Sequence, residues 1–219
     1  MTHIPGSFVT REAGGAGGAG SGPGTPGAAE APERPTAADL ERVSARDPGA
    51  LEAFFDRYFD RIFALAYRLT GDRTIAEDAA QDVFLKVHRA LDRLDPSRDP
   101  YPWLVTIATN VCRDLWRSGA YRMGRRAIPL QDQDGNEYEL PSGGESPEAE
   151  LLRTEREQQV QQALAKLPEG LREAVVLHAY EGMGHDEIAA AFGIQPAAQR
   201  KRYSRGLAAL AVLLKETMK

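Results

Sequence analysis

Apolar residues recur every three or four positions in three consecutive blocks of the first half of the chain. This spacing places each set on one face of a helix. The three sets are Leu51, Phe54, Phe55, Tyr58, Phe59, Ile62, Phe63, Ala66 and Leu69; then Ala76, Ala79, Ala80, Val83, Phe84, Val87 and Leu91; then Trp103, Leu104, Ile107, Ala108, Val111 and Leu115. No segment sustains a two-residue alternation, so the pattern predicts an all-α fold.

Turn-forming and capping residues separate these helices. The sequence Thr-Gly-Asp at 70–72 ends the first, and Thr74 with Glu77 three residues later predicts a capping box for the second. The stretch "DPSRDPYP" at 95–102 is interpreted as a loop, because a proline disfavours helix in the residue before it. Pro102 suits the first position of the third helix.

Helical spacing resumes after Ser146-Pro147 and is interrupted at Leu167-Pro168 and again at Gly182 and Gly184. The segment "HDEIAAAF" ends at Gly193, which suits the positive φ of a helix end. A last helix follows, with a predicted buried stripe of Tyr203, Leu207, Leu210 and Leu214. The pair has the form of a helix-turn-helix.

Composition divides the 219-residue chain into two small helical domains, at 46–118 and 147–217. Residues 1–45 form a predicted disordered tail, rich in Gly, Ala and Pro over 11–38, which is either a tolerated extension or a regulatory segment. Residues 119–146 form an acidic flexible linker. The stretch 130–150 holds seven acidic residues and no basic one.

A single cysteine, Cys112, excludes an internal disulfide and suits a reducing, cytoplasmic compartment. Neither a signal peptide nor a run of apolar residues long enough to span a membrane is present. The formal net charge of −5 argues mildly against a nucleic-acid partner. Binding depends on local charge, however, so the positions of the charges matter more than their sum.

The last helix carries a basic face, defined here as Arg200, Lys201, Ser204 and Arg205. These residues lie largely off the predicted buried stripe. Such a helix can enter the major groove of DNA and pair arginine with phosphates or guanine edges. The alternative is a solvated face of a core helix. Gln199 interrupts the stripe, which indicates a rotated helix, a buried hydrogen bond or a base contact.

A second basic surface lies on the polar side of the third helix and continues beyond it, and residues 113–126 hold five arginines and one aspartate. Its candidate nucleic-acid contacts are Tyr101, Asn110, Arg113 and Arg117. Aromatic residues interleaved with cations suit single-stranded DNA, because bases stack on the rings while the cations follow the phosphates. Trp103 and Trp116 have the alternative role of core residues, and the arginines that of ordinary solvated charges.

The second helix offers a third surface, its acidic face, made of Asp78, Gln81 and Asp82 with Glu77 beside them. These side chains either dock a protein partner or face water. Nothing in the sequence has the spacing of a catalytic triad, a metal cluster or a phosphate-binding loop. His178 and His185 are interpreted as structural or solvent-facing.

Two segments resemble the extracytoplasmic-function sigma factors, compact two-domain bacterial transcription initiation factors of the sigma-70 family. The stretch from "FFDRYFDRIFALAYRLTGD" to "TNVCRDLWR" resembles their region 2, and "ALAKLPEGLREAVVLHAYEGMGHDEIAAAFGI" with the helix after it resembles their region 4. The last helix departs from the family's usual "GTVKSR", since Ala198 and Gln199 stand where Thr and Val are usual. Gly184-His185 replaces the usual Ser or Thr followed by an aromatic residue.

The resemblance implies a promoter-recognition subunit with no catalytic activity and no cofactor. Its expected partners are core RNA polymerase, through the β′ clamp helices and the β subunit, promoter DNA, and in many members an anti-sigma factor. The acidic face would dock on the clamp helices. Tyr101, Asn110, Arg113 and Arg117 would bind the −10 element, and the basic face would read the −35 element. A free-standing helix-turn-helix regulator that binds duplex DNA alone is the alternative.

Overall fold

Eight α-helices make up the part of the chain that the computed structural model describes, residues 34–118 and 147–217. They are α1 (Ala37–Ser44), α2 (Pro48–Thr70), α3 (Arg73–Arg89), α4 (Tyr101–Arg117), α5 (Pro147–Lys166), α6 (Glu169–Val175), α7 (His185–Phe192) and α8 (Pro196–Thr217). A 3₁₀ turn, Leu91–Arg93, follows α3, and a π-helical turn, Val176–Tyr180, continues α6. No strand occurs within these ranges, and the predicted all-α class is confirmed.

The three apolar stripes meet in the N-terminal half, residues 34–118, where α2, α3 and α4 pack against one another. One residue from each stripe, Ile62, Val83 and Leu104, is completely buried. Phe59 is the exception to the predicted first stripe, since it stays 36% exposed and stacks on Phe84. The helical periodicity of the sequence therefore identifies most of this core.

The ends of these helices differ in detail from the prediction. The predicted Thr74–Glu77 capping box is wrong: Asp72 caps α3 by accepting a hydrogen bond from the backbone N–H of Ile75 at 2.9 Å. Glu77 instead pairs with Arg73 at 3.0 Å. The helix begins two residues earlier than predicted, so Asp72 rather than Thr74 is the capping residue, and it binds a free N–H group of that earlier first turn. Pro102 lies in the first turn of α4, one position later than expected.

Residues 37–44, which the sequence analysis assigned to the unstructured tail, form α1. Thr36 accepts a hydrogen bond from the N–H of Asp39, and the Asp39 carboxylate accepts one from the N–H of Thr36, which makes a reciprocal cap. Leu40 and Val43 are buried against the core, and burial of these two residues stabilises the short helix. The rest of the predicted tail, residues 1–33, and the predicted linker, residues 119–146, lie outside the described residues.

The C-terminal half, residues 147–217, contains α5 to α8. The predicted break at Leu167-Pro168 separates α5 from α6, and Gly182 and Gly193 have φ angles of 69° and 64°. These left-handed angles favour glycine because a Cβ atom would clash with the backbone. The sequence positions of the helix breaks are therefore confirmed.

The two halves pack together through α2, which contacts α5 and α6. The closest approach is at Gly71, the residue that ends α2 with a φ of 77°. A Cβ atom at Gly71 would lie 2.7 Å from the Cβ of Ala165. The absence of a side chain at Gly71 therefore permits both the left-handed end of α2 and the close contact between the halves.

Candidate nucleic-acid interface

The basic face of α8 points to solvent: Arg200, Lys201, Ser204 and Arg205 are all exposed. Arg200 also donates to Asp186 of α7 at 2.8 Å. The side chains of Arg200 and Asp186 are 56% and 75% exposed, so water screens this pair strongly. Arg200 is thus partly neutralised by a carboxylate of the protein. The face as a whole is accessible to a polyanion.

The helix-turn-helix that carries this face is built as expected. Ile188 and Ala189 of α7 are buried, and the N–H of Ile194 donates to the carbonyl of Ala189 at 3.0 Å in the turn. The Glu187 carboxylate accepts a hydrogen bond from the N–H of Gly184 at 3.3 Å, at the start of α7. The short turn therefore fixes α8 against α7 and orients its basic face outward.

The predicted buried stripe of α8 is wrong at Leu207, which is 40% exposed. The helix instead buries Gly206 together with Gln199, and Tyr203, Leu210 and Leu213 pack partly buried on the core. A Cβ atom at Gly206 would lie 2.6 Å from Cγ2 of Val175 and 3.0 Å from the carbonyl oxygen of Leu171. The missing side chain lets α8 press against α6, which rotates Leu207 towards solvent.

Gln199 is completely buried, and neither atom of its side-chain amide has a hydrogen-bond partner among the described residues. None of the three interpretations of this residue fits the structure: α8 is rotated so that Leu207 is exposed, yet Gln199 stays buried, and its amide makes no hydrogen bond among the described residues. In this conformation the amide is not accessible to a base. A buried amide without a partner destabilises the fold, because it has lost its hydrogen bonds to water.

We expect Gln199→Met to raise the free energy of unfolding by about 1–2 kcal/mol, since an apolar side chain of similar shape removes an unsatisfied buried amide. Urea denaturation followed by circular dichroism measures the change. Gln158→Met, at an exposed position of α5, is the matched control. Lower stability of the Gln199 variant than of this control would show that the amide is satisfied and useful where it lies.

The two histidines beside the basic helix form an aromatic cluster with Tyr203. The rings of His178 and His185 stack with centroids 4.0 Å apart, and the ring of Tyr203 lies 4.5 Å from that of His178. Nδ1 of His178 lies 2.8 Å from the carbonyl oxygen of Met183. Desolvation, together with the nearby His178 and Arg200, lowers the pKa of His185. These contacts agree with the structural role that the sequence analysis gave both histidines.

The candidate residues of α4 have different surroundings. Asn110 is half-buried, and the Arg117 side chain is 72% exposed with a loose pair to Asp114 at 3.6 Å. Tyr101 is buried, and its hydroxyl donates to the carboxylate of Glu181. Burial and the charge of Glu181 raise the pKa of the Tyr101 hydroxyl well above its usual value.

Arg113 makes a two-pronged ion pair with Glu173 of α6. Its Nε donates to Oε2 of Glu173 at 2.6 Å and its Nη2 to Oε1. The guanidinium also lies 4.0 Å from the centroid of the Phe192 ring. Arg113 is therefore held by the C-terminal half rather than free in solvent.

Both tryptophans pack against the protein core rather than lying exposed on the surface. Trp116 is 5% exposed, and Trp103 is partly buried against the core. The role of core residues, which the sequence analysis kept as an alternative, agrees with this packing. Arg122, Arg125 and Arg126, the rest of the predicted arginine cluster, lie outside the described residues.

The acidic face of α3 is solvent-accessible: Gln81 is exposed at its centre, and Asp78 and Asp82 flank it on the same helix. Gln81 and Glu77 line a shallow groove whose other walls are Phe59, Phe63 and Arg73. The guanidinium of Arg73 lies 5.6 Å from the centroid of the Phe63 ring. Acidic and amide groups thus border an aromatic surface, an arrangement suited to a protein partner.

Three functional candidates in α6 and the turn after it were not predicted from the sequence: Arg172, Glu173 and Glu181. Arg172 is completely buried and donates to the carbonyls of Leu69, Ala165 and Leu167. Glu173 and Glu181 hold Arg113 and Tyr101. Charged residues inside the apolar pattern of α6 were the available signal, since such residues are rarely buried without a partner.

Two family models match the chain: sigma-70 region 2 over residues 54–123, and sigma-70 region 4 over residues 157–210. The first match includes the acidic face and α4, and the second includes the helix-turn-helix. No helix of the described ranges meets the length and apolarity of a membrane span. The same ranges contain no cluster of three His, Cys, Asp or Glu residues able to hold a metal ion.

Characterised proteins of similar sequence are named as RNA polymerase sigma factors. The chain is 32% identical over 177 residues to the RNA polymerase sigma-H factor of Pseudomonas aeruginosa, covering 78% of this chain and 89% of that protein. It is 33% identical over 177 residues to the RNA polymerase sigma factor CarQ of Myxococcus xanthus, covering 81% and 96%. The ECF RNA polymerase sigma-E factor of Escherichia coli K12 is 32% identical, with coverage of 78% and 90%.

Two solved structures have the same fold. One is CnrH in complex with the cytosolic domain of CnrY, with a TM-score of 0.54, 28% identity, and coverage of 82% of this chain and 97% of that one. The other is the sigma factor RpoE in complex with the anti-sigma factor NepR from Bartonella quintana, with a TM-score of 0.52, 26% identity, and coverage of 75% and 96%.

The helical fold, the outward basic helix and these matches define a class of transcription factor. The chain belongs to the extracytoplasmic-function sigma factors of the sigma-70 family, and it directs transcription initiation by RNA polymerase. This family is not a class of enzymes. The free-standing helix-turn-helix regulator is not favoured, because the region 2 match covers most of the N-terminal half.

Proposed function

We propose that three separate surfaces of this sigma factor bind three different partners during transcription initiation. The basic face of α8 binds the −35 element as duplex, the α4 residues Tyr101, Asn110, Arg113 and Arg117 bind the −10 element, and the acidic face of α3 docks on the β′ clamp helices of core RNA polymerase. The chain acts in the cytoplasm and has no catalytic activity of its own. The separation of two exposed faces carries this proposal, since the basic face lies on α8 and the acidic face lies on α3.

Promoter recognition by α8 follows from its exposure and charge. A helix of this kind lies in the major groove, where arginine can donate two hydrogen bonds to a guanine and lysine can neutralise a phosphate. Residues 200–205 hold four basic side chains, and the three on the basic face, Arg200, Lys201 and Arg205, supply both kinds of contact. Ser204, which lies between them on the exposed side, suits a phosphate contact.

An anti-sigma factor is a further proposed partner. One of the similar solved structures is a complex of the sigma factor RpoE with the anti-sigma factor NepR. In this chain a groove between the two halves is lined by Arg113, Trp116, Glu173, Phe192 and Arg202. Its mixture of aromatic and charged side chains suits a protein segment.

Reversing the charge of Asp82 tests the docking surface. We expect Asp82→Arg to raise the dissociation constant for core RNA polymerase by about tenfold or more, because a carboxylate of the acidic face becomes a like charge for a basic partner. Fluorescence anisotropy of labelled protein titrated with core enzyme measures this constant.

Asp92→Arg is the matched control, since it makes the same charge change at an exposed residue of the 3₁₀ turn after α3. Equal affinities of the Asp82 variant, the Asp92 variant and the unaltered protein would move the docking surface away from α3. A loss of affinity confined to Asp82→Arg supports the assignment.

A further inference from the structure

Two of the four residues assigned to the −10 element are occupied by carboxylates of the C-terminal half. Glu173 holds Arg113 through two hydrogen bonds, the same geometry with which an arginine binds a phosphate. The Arg113 side chain is 19% exposed and that of Glu173 only 4%. A DNA phosphate must displace Glu173 before it can bind these two donors of Arg113.

Tyr101 is occupied in a similar way. Its hydroxyl donates to Glu181, whose carboxylate also lies 3.7 Å from Arg68. The guanidinium of Arg61 covers the Tyr101 ring at 3.5 Å from its centroid, and Tyr58 stacks on it with centroids 6.1 Å apart. Neither the hydroxyl nor the ring face beneath Arg61 is available to a base.

Hydrogen bonds from side chains of the C-terminal half to backbone carbonyls of the N-terminal half also hold this interface closed. Arg172 donates to the carbonyl of Leu69 at 2.6 Å, and the side chain of Gln161 donates to the carbonyl of Tyr67 at 2.7 Å. Both acceptors lie in the last turn of α2, near the helix end where carbonyls run out of partners within the helix. The carbonyl of Tyr67 also accepts a hydrogen bond from the N–H of Gly71 at 2.8 Å. The close contact of Gly71 with Ala165 completes this region. The interface is therefore packed and hydrogen-bonded.

In the closed arrangement the two halves cannot contact the −35 and −10 elements of one promoter at the same time. The −35 and −10 elements are about 25 base pairs apart, which is about 85 Å of duplex at about 3.4 Å per step. A compact protein of about 160 residues has a radius of gyration of about 15 Å, and hence a diameter of about 40 Å. The two halves must separate before each can reach its own element.

We propose that the free sigma factor inhibits itself: Glu173 and Glu181 of the C-terminal half occupy Arg113 and Tyr101, so that binding of the −10 strand requires the two halves to separate. This proposal rests on the −10 role given above to Arg113 and Tyr101. Closure and DNA binding then compete for the same side chains. Any partner that binds the separated halves shifts the population towards the open state.

Energy transfer between two dyes measures closure directly. Leu85 of α3 and Val212 of α8 are 55% and 57% exposed, so cysteines at both positions accept the dyes. Cys112 does not compete for labelling, because it is completely buried and burial raises its pKa to about 12. The Glu173→Gln/Glu181→Gln variant keeps the side-chain shapes and removes both charges. We expect transfer to fall, with at least a roughly tenfold rise in the ratio of open to closed molecules.

Anisotropy of a fluorescein-labelled oligodeoxythymidine of about 20 nucleotides measures access to the DNA-binding residues in the same proteins. The double variant is expected to bind it at least about fivefold more tightly than the unaltered chain. Glu155→Gln/Glu216→Gln removes two exposed charges from the C-terminal half and controls for net charge. Thermal melting by circular dichroism confirms that each variant is folded. Arg113→Glu/Glu173→Arg, with the pair reversed, is expected to restore energy transfer that either single change lowers.

The outcomes separate this proposal from the proposed function. Unchanged transfer in the double variant would overturn self-inhibition, whereas promoter-directed transcription by the unaltered protein would still support the function. Lower transfer with oligonucleotide affinity equal to that of the charge control would overturn it too, and would remove Arg113 and Tyr101 from the DNA-binding set. Lower transfer together with tighter binding supports the proposal.

Discussion

Replacing Arg172 with alanine is expected to lower the free energy of unfolding by about 3–5 kcal/mol. The change deprives three carbonyl oxygens of a charged donor and leaves a cavity at a completely buried position. One of these carbonyls, that of Leu69, belongs to the N-terminal half, while those of Ala165 and Leu167 belong to the C-terminal half. The substitution therefore removes a single side chain that joins the ends of α2 and α5.

Urea denaturation followed by circular dichroism measures this loss. Arg156→Ala removes an exposed arginine from α5 and is the matched control. Arg172→Lys keeps the charge, but one ammonium group cannot reproduce the planar fork that reaches all three carbonyls, so a substantial part of the loss should remain. If Arg172→Ala unfolds at the same urea concentration as Arg156→Ala, the buried guanidinium does not stabilise the fold.

Replacing Arg205 with alanine is expected to weaken promoter binding by the RNA polymerase holoenzyme by about 1–3 kcal/mol, roughly a 5- to 150-fold change. Arg205 is exposed on the basic face, where a base or phosphate contact has no protein carboxylate to displace among the described ion pairs. Arg200→Ala should have a smaller effect, because Asp186 already neutralises part of the charge of Arg200.

Electrophoretic mobility shifts on promoter fragments selected by the unaltered protein measure the affinities, with Arg89→Ala at an exposed position of α3 as control. Sequence preference separates two kinds of contact: a lost base contact relaxes the preference at one position, whereas a lost phosphate contact weakens all fragments alike. Identical affinities for Arg205→Ala and Arg89→Ala would remove Arg205 from promoter recognition.

Sequence periodicity predicted most of the fold because each helix of the N-terminal half buries one continuous apolar face. It failed in α8, where the apolar positions suggest Leu207 as a buried residue but the glycine at 206 sets the rotation. A hydrophobicity pattern ranks glycine low, although the absence of a side chain is what permits the close approach to Val175. A glycine inside a helix is a packing signal that periodicity alone does not contain.

The sequence predicted some parts of the candidate site better than others. Exposure of the basic face and of the acidic face follows from helical phase, which the sequence contains. The pairing of Arg113 with Glu173 and of Tyr101 with Glu181 joins residues 60 and 80 positions apart. Such pairs depend on how the halves pack, and local spacing carries no information about that.

Transcription by core bacterial RNA polymerase on a library of DNA fragments, with and without the purified chain, measures directly whether the chain acts as a sigma factor. We expect specific start sites to appear only when the chain is added, and we expect their upstream regions to share two sequence elements, one near −35 and one near −10. If no start site appears, while the same core enzyme initiates with another sigma factor and this chain alone retains duplex fragments, this expectation is contradicted.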